Sequence, residues 1–246
     1  MSSERYERQI RIPQLGGEGQ ARLGRSRVLV VGAGGLGSPA ILYLAAAGVG
    51  TLGIADDDVV VLSNLNRQVL HRTADIGADK ASSAARAVRE LNPEVGLELH
   101  RERLDAASVA ELCAGYDLVV DATDGFGSKY AINDGAVRAG KPFVHAGVEG
   151  LMGQVALLGL PGGPCLRCIF PTSPLDPSEP RPILGAAAGV LGALEACEAI
   201  KFLGRLATDG SNKLLVVNLW TLRFQNMAAE RDPDCPCCGA GATSAS

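Results

Sequence analysis

A glycine loop, Gly32-Ala33-Gly34-Gly35-Leu36-Gly37, follows the apolar run at 28–31 and precedes the helical pattern Ile41-Leu42-Leu44-Ala45. This G-x-G-x-x-G spacing between a strand and a helix commits the chain to opening with a βαβ unit. Glycines let the backbone approach phosphate, and the start of the helix supplies unpaired N–H groups and positive potential. A second strand at 51–55 ends at Asp56, roughly 20 residues past the loop, where a carboxylate reaches ribose hydroxyls. A tight turn is the bland alternative, and the loop alone does not choose a dinucleotide over ATP.

Strand and helix patterns alternate onward: helix 79–91 stopped by Asn92-Pro93, strand 97–100, helix 106–114, strand 118–122, helix 130–139, strand 143–146. That alternation predicts an α/β fold with a Rossmann-like, mostly parallel sheet and right-handed crossovers. Strand 154–160, helix 189–203 and a close pair at 214–220 and 222–227 predict added antiparallel strands. Residues 5–24 read as a polar arm broken by Pro13 and Gly16-Gly17. The chain, 246 residues and 47% hydrophobic, reads as a single domain: arm 1–24, nucleotide-binding half 25–150, second half 151–246. A net charge of −4 without a basic cluster argues against nucleic-acid binding. No stretch reaches a membrane span, the charged N-terminus is not a signal peptide, and seven cysteines without a secretion signal favour the cytoplasm with metal-bound or free thiols.

Two CxxC pairs, Cys165/Cys168 and Cys235/Cys238, match the ligand pattern of closed, tetrahedral structural zinc. Such a site ties the C-terminal tail to the loop after the strand at 154–160, giving a four-cysteine zinc tether; a redox dithiol is the competing reading, disfavoured because neither pair opens a helix after a strand. Cys237 is a further candidate ligand, whereas Cys113 and Cys197 read as small buried hydrophobes. Beyond Asp56, Ser63-Asn64-Leu65-Asn66-Arg67-Gln68 and Lys80 place an amide, a guanidinium and an ammonium close together. A triphosphate under attack needs that positive charge, although each cation alone reads as a solvated surface charge. Asp124 lies past the next strand end and is placed to hold magnesium. His145 reads as a hydrogen-bonded structural histidine, and Trp220 and Phe224 as core.

The arm Arg5-Tyr6-Glu7-Arg8-Gln9-Ile10, the GAGGLG loop, Asp56-Asp57-Asp58, SNLNRQ at 63–68, Lys80, Ala122-Thr123-Asp124 and both CxxC pairs together resemble the ThiF/MoeB/HesA family, bacterial relatives of ubiquitin-activating enzymes. The acidic run after the second strand and the short length look closer to ThiF. The resemblance implies an ATP-dependent adenylyltransferase that converts the C-terminal glycine of a ubiquitin-like, ThiS- or MoaD-type sulfur carrier into an acyl-adenylate, with pyrophosphate released, for thiamine or molybdopterin-type cofactor synthesis. It implies nucleotide binding at Gly32, Gly34, Gly35, Gly37, Asp56, Ser63 and Gly125, and phosphate contacts at Asn64, Arg67 and Lys80. It further implies magnesium at Asp124, carrier binding in residues 151–246, and a homodimer in which Arg8 enters the neighbouring site.

Two departures accompany the resemblance. The loop cysteine of ThiF and MoeB falls at Ser178, so a separate sulfur donor is expected for any step after adenylation. The family's Asp-Asn pair reads Asp124-Gly125, one amide fewer beside the nucleotide. A non-catalytic scaffold that binds nucleotide and a ubiquitin-like partner is one alternative; an NAD-dependent oxidoreductase is another, but no hydride-transfer site or substrate domain is visible.

Overall fold

The computed structural model describes residues 4–172, 181–206 and 212–240; Ser178 lies outside them. Its eight-stranded sheet has the order β3-β2-β1-β4-β5-β6-β7-β8. Strands β1 (Arg27–Val31), β2 (Thr51–Ala55), β3 (Gly96–His100), β4 (Leu118–Asp121) and β5 (Phe143–Glu149) are parallel. Strands β6 (Met152–Leu158), β7 (Lys213–Asn218) and β8 (Arg223–Ala228) extend the sheet antiparallel. This is the Rossmann-like sheet with added antiparallel strands that the sequence predicts.

Side chains alternate across a strand, and β1 uses both faces. Val28 and Val30 join one core cluster with Ile41, Leu44, Val88 and Leu191, from α3 (Gly37–Ala46), α4 (Lys80–Leu91) and α8 (Gly185–Gly204). Leu29 and Val31 join the other with Val109, Ile132 and Leu166, from α5 (Ala106–Cys113), α6 (Phe126–Arg138) and the one-turn α7 (Leu166–Ile169). A parallel sheet covered on both faces needs such continuous apolar strands. Asp79 caps α4 by accepting a hydrogen bond from Ser82 N–H at 2.8 Å, which fixes the position of Lys80 at the first helical residue. No helix among the described residues is long and apolar enough to cross a membrane.

In the arm, α1 (Glu7–Ile10) is followed by α2 (Gly16–Leu23), so Gly16-Gly17 open a helix instead of breaking one. Gly16 has φ +57°, which a side chain resists. The arm is pinned by Tyr6, 2% exposed, whose hydroxyl accepts from Asn92 Nδ2 at 2.9 Å, and by Gln9 Nε2 donating to Ala47 O at 2.8 Å.

Three further sequence expectations fail. Trp220 and Phe224 are 80% and 50% exposed: they lie on β8 or its turn, the last strand of the sheet, where no layer of helices covers them. Cys197 is exposed, while Cys113 is buried as expected; position 197 falls on the solvent side of α8, between the buried Ala196 and Ala199. Cys165 is the N-cap of α7, so the first CxxC does open a short helix a few residues after a strand.

Candidate nucleotide site and thiolate centre

Strand order reverses between β1 and β4, because β2 lies on one side of β1 and β4 on the other. In open α/β sheets the crevice at such a point receives ligands. The glycine loop follows β1 and the turn Ala122–Gly125 follows β4. They meet closely: a Cβ on Gly32, whose φ is +98°, would lie 2.7 Å from Ala122 O. At Gly37 a Cβ would lie 1.9 Å from Gly32 O, so the loop closes on itself only with hydrogen there. The face of Gly34 is open except for Gln68 Nε2 at 3.5 Å from a would-be Cβ.

Ala33, inside the loop, is gripped at both backbone groups. Its N–H donates to Asp56 Oδ2 at 2.7 Å; its carbonyl accepts from His71 Nε2 at 2.8 Å. Asp56 Oδ1 accepts from Asp58 N–H at 2.9 Å. Burial raises the Asp56 carboxyl against the pull of the Ala33 N–H and of Lys80. Burial also lowers the His71 imidazole; its Nε2 faces the Ala33 carbonyl and its Nδ1 faces Ser83 Oγ at 2.8 Å. His71 carried no signal in the sequence, since its role depends on a carbonyl distant along the chain.

Lys80 is 4% exposed, its Nζ donating to Asp58 Oδ2 at 2.7 Å beside Asp56. Arg67 packs its stem against Gly35, with Cγ and Cδ at 3.5 and 3.7 Å from a would-be Cβ there. Its guanidinium donates to Asn64 Oδ1 (2.9 Å), Asn66 Oδ1 (3.1 Å) and Ser63 O (3.1 Å), so Ser63 and Asn64 orient Arg67. The start of α8 closes this side: a Cβ on Gly185 would strike Asn66 O at 2.2 Å, and Ala188 Cβ lies 3.2 Å from a would-be Cβ on Gly35. The sequence carries no signal that ties the start of α8 to the site. Gln68, 4% exposed, has its Oε1 without a partner among the described residues. An orphan acceptor on a side chain whose amide nitrogen borders the open face of Gly34 fits a bound group that carries donors, as a nucleotide does.

Asp124 and Gly125 stand at the β4–α6 turn, Asp124 exposed and Gly125 as the N-cap of α6. Arg8 is exposed on α1, at the Ala47 end of α3, whereas the glycine loop is at the other end, about 15 Å away along a ten-residue helix. The chain's own fold therefore does not bring Arg8 to this crevice.

The sulfur atoms of Cys165, Cys168, Cys235 and Cys238 all lie within 4.8 Å of one another. Three of the edges are 3.9, 3.6 and 3.3 Å, near the ~3.8 Å edge of a tetrahedron with metal–sulfur distances of about 2.3 Å. An all-thiolate set of this shape fits zinc and leaves no open position. Cys237 is not in the cluster; its Sγ accepts from Asn133 Nδ2 at 3.3 Å. Asn133 Oδ1 takes the Leu166 N–H at 2.7 Å, and Asp134 pairs with Arg167 through two 2.7 Å contacts. The four-cysteine knuckle is thus docked on α6, the helix whose start carries Asp124 and Gly125.

Comparison with known proteins bears on the family and the fold. The model described as the ThiF family matches residues 6–237. A SAMP-activating enzyme E1 of Haloferax volcanii is 45% identical, over 97% of this chain and 89% of that protein. A sulfur carrier protein adenylyltransferase of Thermus thermophilus is 42% identical, over 96% of this chain and 90% of that protein. Among solved structures, E. coli MccB with MccA-N7isoASN aligns with a TM-score of 0.86 over 97% of this chain and 77% of that one; at 23% identity it speaks for the fold alone. By the extent of the family match and of these identities, the chain belongs to the ThiF family.

Proposed function

We propose that the chain is a nucleotidyltransferase that uses ATP to activate the C-terminal glycine carboxylate of a ubiquitin-like sulfur carrier. A carboxylate oxygen attacks the α-phosphorus, the bond from that phosphorus to the bridging oxygen breaks, and pyrophosphate leaves with its electron pair. The observation that carries this reading is the placement of Arg67 against Gly35, with Lys80 buried beside Asp56. Two cations flank a glycine loop at the sheet's switch point, where charge develops on phosphate oxygens. The two curated relatives named for carrier activation cover nearly the whole chain.

In this reading the amides around Gly32, Gly34, Gly35 and Gly37 cradle phosphate, Asp56 offers its remaining lone pairs to ribose hydroxyls, and Lys80 exchanges Asp58 for phosphate oxygens. Arg67, aligned by Ser63 and Asn64, neutralises the departing pyrophosphate, and Gly125 leaves room beside the nucleotide. Adenylation needs no protein nucleophile, only alignment and charge compensation. Asp124 would hold magnesium, a hard cation that supplies further neutralisation when bound. Arg8, remote from its own crevice, serves the partner's in a homodimer. Zinc at Cys165, Cys168, Cys235 and Cys238 is structural, and a cytoplasmic setting keeps those thiols reduced.

The carrier docks on the second half of the chain. A groove of about 630 Å³ lined by Leu151, Met152, Ile183, Leu184 and Trp220 runs to Leu184, the N-cap of α8. Gly185, the next residue, packs against Asn66 and Arg67, so the end of the groove lies one residue from the cation end of the crevice. A separate donor supplies sulfur after adenylation, for thiamine or molybdopterin-type cofactor synthesis. Pyrophosphate exchange into ATP that depends on a carrier ending in Gly-Gly tests the proposal; exchange absent with every such carrier, despite ATP binding, would leave only a scaffold.

A further inference from the structure

Beneath the β4–α6 turn lies a buried polar network outside the residues assigned above. Asp121, the last residue of β4, is fully buried. Its Oδ1 accepts from Thr123 Oγ1 at 2.7 Å and from Thr123 N–H at 3.3 Å. Its Oδ2 accepts from His145 Nδ1 at 2.9 Å, and Lys129 Nζ stands 3.4 Å away while donating to Ala146 O at 2.6 Å. Gln154 Nε2 faces His145 Nε2 at 3.4 Å, which fixes the proton on Nδ1. From α8, Glu195 adds a fully buried carboxyl with neither oxygen partnered among the described residues.

An ion pair in this setting is costly, because each charge loses its water. Hydrophobic residues of similar volume commonly serve a core as well. What an apolar replacement cannot do is tether the backbone at Thr123, one residue before Asp124, to β5 and α6. We propose that Asp121, Lys129 and His145 are positioning residues that hold the Thr123–Asp124 turn from below, with the Thr123 hydroxyl as the link. The inference rests on the reading of Asp124 as the magnesium ligand, and the test separates the two.

Three full-length proteins are compared: wild type, Thr123→Val, which keeps shape but loses the donor, and Thr123→Ser, which restores it. Amide hydrogen exchange at 122–126 is read without ligands, and the magnesium needed for half-maximal pyrophosphate exchange is read with carrier. Loss of a hydrogen bond to a charged group predicts roughly 10-fold faster amide exchange and a roughly 10-fold higher magnesium requirement in Thr123→Val. Both return toward wild type in Thr123→Ser. Faster amide exchange with an unchanged magnesium requirement supports the tether and rejects Asp124 as the metal ligand. Unchanged amide exchange in Thr123→Val overturns the positioning role, whatever the metal dependence.

Discussion

Glu195 faces Lys129 and Asp121 from α8, and burial is what dominates its chemistry. Loss of water, with the nearby Asp121 charge adding to it and Lys129 opposing it, raises this carboxyl well above the ordinary glutamate value of 4.5. A folded-state pKa raised in this way favours the native state below the unfolded value, and the advantage is lost as pH rises toward the folded value. Glu195→Gln, which stays neutral, should therefore match the wild type near pH 4 and melt higher at about pH 8, by about 2–4 °C for each kcal/mol relieved. Melting curves that run parallel across that range would show that Glu195 does not titrate as burial requires. The placement of Arg67, Lys80 and Asp56 beside the glycine loop was legible in the sequence because it follows from their positions relative to that loop. Asp121, Lys129, His71 and Glu195 were not, since a buried polar group acquires its role from partners brought together by the sheet. Trp220 and Phe224 show the converse: apolar character marks a residue as a candidate for burial without saying whether a layer covers it.

At the scale of elements, the βαβ opening was readable because strand, glycine loop and helix are adjacent in sequence. The start of α8 was not, since Gly185 acquires its place by lying against Asn66 from the far half of the chain. The apolar pattern carries β6 on through Gly159 and Leu160, past its end at Leu158; Gly159 in fact turns at φ +71°. The CxxC pairs were legible as a ligand set from spacing alone, but their docking on Asn133 and Asp134 of α6 was not. That docking makes a prediction at this scale. Stripping the metal with a chelator, or substituting Cys235→Ser, should free residues 229–240 to proteolysis. Structural zinc sites bind with apparent free energies of about 10 kcal/mol, so the thermal midpoint should fall by at least ~10 °C. An unchanged midpoint and cleavage pattern in the stripped protein would show that the thiolates close the tail without a metal.

For the whole molecule, the position of Arg8 at the far end of α3 from the glycine loop has a symmetric consequence. In the proposed two-fold homodimer each crevice would receive the partner's arm. Arg8→Ala and Lys80→Ala, each inactive alone, should complement when co-expressed: a mixed dimer contains one crevice with both residues intact, for about a quarter of wild-type activity across a random mixture. Mixtures that remain inactive would place Arg8 in its own protomer's crevice, and an active Arg8→Ala protein would place it outside the site. The most direct test of the central claim is carrier-dependent pyrophosphate exchange in wild type, Arg67→Ala and Lys80→Ala, each checked for native melting. Loss of a charge-stabilising group at the reacting phosphates predicts a fall of about 100-fold or more in rate for each variant. Exchange at the wild-type rate in either folded variant would contradict the account.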